Sequence, residues 1–204
     1  MSVVIERMVH ELRGTPCLGF EDVTPDRKSI MASRSFGRAV TLRNEMEEAV
    51  AAYTARAAEK MRRQNLTTAN LQVFVHTNRF RAQDAQHFAT QAVQLPVATA
   101  DTGKLTSAAL RGVAAIWKQG YRYNKAGVIF LDLRPGTEVQ GTLFDQPDTP
   151  AKKRLMRTLD SLNTRYGRDT VTFAASGRRR AWKLRSDQLS ARYTTDWDEL
   201  LSVR

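Results

Sequence analysis

Few residues of this chain have the types and spacing that bond-making chemistry needs. The one Asp-x-Asp, Asp196-Trp197-Asp198, has the form of a divalent-metal pair. Thr195 with Asp198, or Asp196 with Glu199, also has the spacing of a helix capping box ahead of Leu200 and Leu201, and that reading is preferred. The single cysteine, Cys17, excludes an internal disulfide framework and reads as a small buried hydrophobe. His10, His76 and His87 have no metal-ligand spacing and form no Ser/His/Asp or Cys/His set. What remains is recognition chemistry. Gln140-Gly141-Thr142-Leu143-Phe144 sets two bulky apolar side chains in a Pro/Gly/Asp-rich stretch with no core of its own. They are either anchors offered to a pocket on another protein or residues that tuck back onto the adjacent domain.

Charge narrows the partner. Against 21 Asp+Glu stand 32 Lys+Arg, a formal net charge of +11 and a pI near 10.3, which attracts polyanions and nucleic acid first of all. An acidic membrane surface is the other polyanion, but no apolar run approaches the roughly 20 residues of a span. No signal-peptide pattern opens the chain, so a cytoplasmic location is expected. The charge is unevenly shared: residues 151–204 carry 13 basic and 6 acidic side chains, and residues 1–133 carry 18 and 12. Residues 134–150 hold only Arg134 against Glu138, Asp145 and Asp148, together with Pro135, Gly136, Gly141, Pro147 and Pro150, and read as a linker.

The elements that must position these residues alternate. Residues 29–40 are β-tolerant and predict a strand. Asn44 with Glu47 makes a capping box, and Leu42, Met46, Ala49, Val50, Tyr53, Ala57 and Met61 recur at helical spacing, with acids at the start and bases at the end as the helix dipole prefers. Residues 70–79 alternate Leu71, Val73 and Val75 against Gln72, Phe74 and His76, and a short strand follows around 91–97. Asp101 or Thr102 caps a second helix, stopped by Gly120, and 124–133 is a continuous apolar strand. The class is therefore α+β: a four-stranded sheet with two helices on one face, in the order strand-helix-strand-strand-helix-strand. A linker and a small, mostly helical C-terminal segment follow, with Leu155, Leu159 and Leu162 at helical spacing behind a basic start that opposes the helix dipole. Val171 to Ala174 predicts a short strand, Arg178-Arg179-Arg180 a basic turn that either binds DNA or keeps the tail soluble, and Trp182, Tyr193 and Trp197 a small core.

The other sheet face stays open, and a basic open face can lie along nucleic acid. Arg34 and Arg38 point to one side of the first strand, flanking Phe36, while Ser33, Ser35 and Gly37 point to the other.

Ser33-Arg34-Ser35-Phe36-Gly37-Arg38 resembles the opening of the little-finger domain of Y-family, lesion-bypass DNA polymerases. Further matches point to the UmuC-type branch, the catalytic subunits of DNA polymerase V. They include Leu12-Arg13-Gly14, Ala55-Arg56-Ala57-Ala58-Glu59-Lys60, Tyr121-Arg122-Tyr123 and Arg192-Tyr193-Thr194-Thr195, and the Gln140 to Phe144 peptide falls where that family binds the sliding clamp. The resemblance divides the chain into the end of the thumb and a tether (1–28), the little finger (29–133), a linker with the clamp motif (134–150) and a UmuC-type tail (151–204). In the first of these Val3, Val4, Met8, Val9 and Leu12 form an amphipathic set, with Pro16 and Pro25 bracketing an extended piece.

The resemblance implies a non-catalytic region, because the carboxylates that hold Mg2+ lie in a palm domain upstream; no cofactor is expected in this portion. It implies a backbone grip on template-primer DNA by Ser33, Arg34, Ser35 and Arg38; Arg79, Arg122 and Lys125 join them from charge and position. Gln140, Leu143 and Phe144 would hold the beta sliding clamp, and the UmuD′ dimer and the recombinase filament are the implied tail partners in SOS mutagenesis. The rival is a free-standing sheet-based RNA-binding module, which needs paired aromatics on its central strands.

Overall fold

The computed structural model describes residues 2–17, 27–178, 180–184 and 190–200. Pro25 and Arg179 lie outside them. Helix α1 spans Val3–Leu12, capped by the Ser2 side chain, and none of its residues is buried. Cys17 is only partly covered, its thiol lying 3.5 Å from the Arg7 carbonyl, rather than buried as expected.

The sheet domain runs β1 (Ile30–Val40), α2 (Arg43–Arg62), β2 (Leu66–Thr77), β3 (Phe88–Thr99), α3 (Thr102–Ile116) and β4 (Tyr123–Leu131). All pairings are antiparallel in the order β1-β4-β2-β3, so β1 and β3 are the edges. This is the expected α+β order with both helices on one face. A further two-residue strand, β5 (Arg134–Pro135), pairs with the start of β2.

One residue in two along each strand enters the space under the helices. Ile30, Ala32, Phe36 and Val40 of β1 do so, with Leu71, Val73 and Val75 of β2 and Ala126, Val128 and Phe130 of β4. From above, α2 contributes Met46, Val50, Tyr53, Ala57 and Met61, and α3 contributes Leu105, Ala109 and Val113. Helix α2 starts at Arg43 with Leu42 as its N-cap and makes no side-chain cap bond. Asn44 instead accepts from the Glu45 amide at 2.9 Å, and Glu47 pairs with Arg43 at 2.7 Å. Asp101 caps α3 as expected, accepting from the Lys104 amide at 3.1 Å, and the helix ends at Ile116 ahead of Gly120.

After the sheet, α4 spans Pro150–Tyr166 with Thr149 as its cap. It docks through Arg62, whose guanidinium makes two 2.7 Å bonds to the Asp160 carboxylate and also donates to the Ala100 carbonyl and the Thr102 hydroxyl. No strand forms over 171–174; Ala174–Ser176 is a turn of 3₁₀ helix. Trp182 does not make a core with Tyr193 and Trp197. It enters the core of the sheet domain, while Tyr193 and Trp197 are exposed. Asp196 accepts from the Asp198 amide at 3.3 Å, the capping role expected for it.

Candidate functional site

The open face of the sheet is a grid fixed by register. Directly paired residues share a face, so one row reads Ser35, Lys125, His76, Phe88, and the next Ser33, Gly127, Phe74, Thr90. Gly127 carries no side chain because there is no room for one: a Cβ would meet Ser33 Cβ at 2.4 Å and Phe74 Cζ at 2.6 Å. Phe74 therefore lies flat across the sheet and is buried although it faces outward.

Ser33, Ser35 and Lys125 stand on this open face. Arg34 and Arg38 do not. Arg34 pairs with Ala126, a core residue, so its side chain rises on the helix side of the edge strand. Arg38, beside a bulge, forms an ion pair with Glu45 of α2. The cause is Phe36: its ring takes the covered side, and alternation carries both arginines with it along the rim.

Arg79 and Arg122 gather at the same end of the sheet as Lys125. Arg79 opens the β2–β3 loop with its guanidinium 5.1 Å from the Phe80 ring centroid, and Arg122 precedes β4 and lies 3.4 Å from Asp84. Burial, then Lys125 and Arg79, hold the His76 imidazole below its ordinary pKa, so it is neutral while it sits among cations. The sequence reading missed this neighbourhood of Phe74, His76, Phe80 and Phe88; the alternation of residues 70–76 already put Phe74 and His76 on one side, but nothing local set Phe88 opposite them.

The peptide 140–144 stands at the other end. Leu143 and Phe144 are each 90% exposed, and Gln140 is exposed too. A tight turn presents them: the Thr142 amide donates to the Asp145 carbonyl and the Asp145 amide to the Thr142 hydroxyl, both at 2.9 Å. Asp148 anchors the far end of the linker, accepting from Thr99 at 2.6 Å, the Ala100 amide at 3.0 Å and Lys104 at 2.8 Å. Burial pushes that carboxyl up, and these three donors outweigh it, leaving the pKa below the usual carboxylate value. The linker is thus pinned at both ends, by β5 and by Asp148, with the exposed turn between them. Among the described residues no group of three or more His, Cys, Asp and Glu could hold a metal ion. No helix of the described residues is long and apolar enough to cross a membrane.

Sheet, helix order and projecting peptide define a class that comparison with known proteins identifies. The chain belongs to the impB/mucB/samB family, whose C-terminal domain matches residues 27–143. A model described as a domain of unknown function matches residues 153–203. The chain is 40% identical over 204 residues to Protein UmuC of Salmonella typhimurium, covering 100% of this chain and 48% of the relative. It is 38% identical over 197 residues to Protein MucB of Escherichia coli, covering 96% of this chain and 46% of that one. Protein SamB of Salmonella typhimurium is 35% identical over 204 residues, 100% of this chain and 48% of the relative. The chain spans about half the length of these relatives, matching their C-terminal halves.

Proposed function

We propose that this chain is the DNA-gripping and clamp-tethering C-terminal region of an error-prone translesion DNA polymerase, with nucleotidyl transfer carried out by a palm domain outside it. The observation that carries the reading is the pair Leu143 and Phe144, each 90% exposed on a turn whose flanks are anchored. Two large apolar side chains held in water lower their free energy by entering a pocket elsewhere, at roughly 1.5–3 kcal/mol for each one fully buried. Gln140, three positions earlier, supplies a polar contact for the pocket rim.

The basic sheet domain supplies the second grip. Ser33, Ser35 and Lys125 on the open face, Arg79 and Arg122 at its end, and Arg34 and Arg38 along the β1 rim would meet phosphates of template-primer DNA. Such contacts are indifferent to sequence and tolerate a damaged template base. Each grip is weak alone, and linkage through one chain makes the second binding event effectively intramolecular. The tail, docked through Arg62 and Trp182, is the segment we assign to the UmuD′ dimer and the recombinase filament, and a cytoplasmic location accords with all these partners. Co-elution of the 204-residue chain with purified beta sliding clamp tests the reading. Complex formation is expected, and separate elution at concentrations above ten micromolar would count against it.

A further inference from the structure

We propose that the loop end of the open sheet face is a stacking site for unpaired DNA bases, formed by His76, Phe80 and Phe88 within a ring of Arg79, Arg81, Arg122 and Lys125. The inference rests on the reading of this face as the DNA side and goes beyond it. A backbone grip on a duplex needs cations, hydroxyls and amides. It has no use for aromatic rings.

The rings are there and bare. Phe80 is 84% exposed and Phe88 69% exposed. Phe88 is backed rather than dangling: the centroids of Phe74 and His76 lie 5.2 Å apart and those of His76 and Phe88 4.3 Å apart, with Phe74 wedged over Gly127 as the floor. The Phe80 ring, on the loop beside them, has the Arg79 guanidinium 5.1 Å from its centroid. Phe88 is the outermost member of this series, and its outer side is left to solvent.

The loop carrying Phe80 is pre-built. The Gln86 side-chain amide donates to the carbonyls of Asn78, Arg81 and Asp84 at 3.2, 3.0 and 2.9 Å, and Asn78 accepts from the Phe80 amide at 3.1 Å. The Asp84–Arg122 contact ties this loop to the start of β4. Little ordering is left for a ligand to impose. Among the described residues, Arg79, Arg81 and Lys125 enter no ion pair with protein carboxylates.

Exposed rings interleaved with cations are the pattern that binds single-stranded nucleic acid, in which each base offers a free π-face and each phosphate a charge. Inside a duplex those faces are already stacked, so only an unpaired base can use Phe80 and Phe88. An apolar protein partner would have to desolvate four cations to reach the same rings, which disfavours it. The ligand this argument selects is a short unpaired stretch beside a duplex, such as a template overhang.

The test measures binding of the 204-residue chain, by anisotropy, to a blunt duplex, to the same duplex with a single-stranded extension, and to the extension alone. The extension should raise affinity over the blunt duplex. The combined Phe80→Ala and Phe88→Ala variant should lose about tenfold or more on the extended duplex while binding the blunt one as before. Lys125→Ala should weaken all three. A 2-aminopurine in the extension should change fluorescence on binding the parent chain and not the double variant. Equal affinity of the parent chain for blunt and extended duplexes, or an undiminished preference in the double variant, overturns the stacking site while leaving the backbone grip standing. Absence of salt-sensitive binding to all three overturns both.

Discussion

Trp182 lies edge-on to Tyr53, with ring centroids 5.7 Å apart and planes at 78°, although 129 positions separate them in the chain. The Phe36 ring also meets Trp182 edge-on, with centroids 6.1 Å apart, and the Gly37 amide donates to the Trp182 carbonyl at 3.0 Å. A residue of the C-terminal segment thus completes the core beside the β1 bulge. At Gly37 the approach is so close that a Cβ would come within 2.7 Å of the Lys183 carbonyl oxygen. Among the described residues the neighbouring Tyr53 hydroxyl and Trp182 indole nitrogen are buried without partners, and burial raises the Tyr53 phenol well above its ordinary pKa.

Trp182→Ala should therefore cost about 3–5 kcal/mol, the range for emptying an aromatic site in a core. Chemical denaturation followed by far-ultraviolet circular dichroism checks this. A loss under 1 kcal/mol would mean that the tail does not support the sheet domain.

The second tether of the tail is the Arg62–Asp160 pair, largely screened from water on the Arg62 side. Asp160→Asn should destabilise by roughly 1.5–3 kcal/mol. Arg62→Lys should not rescue the site, because an ammonium cannot reproduce a bidentate fork that also reaches Ala100 and Thr102. Thermal melts of both variants decide it.

Asp148 makes stability depend on acid pH with a definite sign. Its carboxyl is held lower in the folded chain than in the unfolded one, so the folded chain binds fewer protons. The contribution is complete above the ordinary carboxylate pKa of about 4. It is lost as pH falls through the lowered folded value. Melts of the parent chain and Asp148→Asn should differ at pH 7 and converge below pH 4; a constant gap would show that the Asp148 charge is not involved.

Gly127→Ala tests the packing of the open face. The new methyl would strike Ser33 Cβ, which cannot move without its strand, and the Phe74 ring. A loss of about 1–3 kcal/mol is expected, together with greater exposure of Phe74, measured by denaturation and by the ring's chemical shifts.

The salt dependence of DNA binding sorts the basic residues. Lys125→Ala should make the slope of log affinity against log salt shallower by about one, and Arg122→Ala by less, because the Asp84 carboxylate lies 3.4 Å from that guanidinium. Arg38→Ala should change it less, because Glu45 already neutralises that guanidinium. A larger change at Arg38 than at Lys125 would place the DNA along the β1 rim instead.

Much of the sheet domain could be read from the sequence because its signals are periodic. The helical repeat from Met46 to Met61 and the apolar run ending in Phe130 gave α2 and β4 directly. Strand β2 begins four residues earlier than expected because buried Thr67 and Thr68 look polar in sequence, and the Thr68 hydroxyl is satisfied by the Leu131 carbonyl at 2.6 Å. Strand β5 is too short to carry a pattern. Alternation placed Arg34 and Arg38 opposite Ser33 and Ser35, but which side the helices cover is a tertiary fact, decided by Phe36. The place of Trp182 in the core and of Phe88 beside His76 depends on contacts between distant segments, which no local window contains.

The most direct test of the central claim is the affinity of the beta sliding clamp for the chain with Leu143→Ala and Phe144→Ala together. Because both side chains are exposed, stability should stay within about 0.5 kcal/mol of the parent, while clamp binding falls at least a hundredfold. A stably folded variant that still holds the clamp would contradict the account.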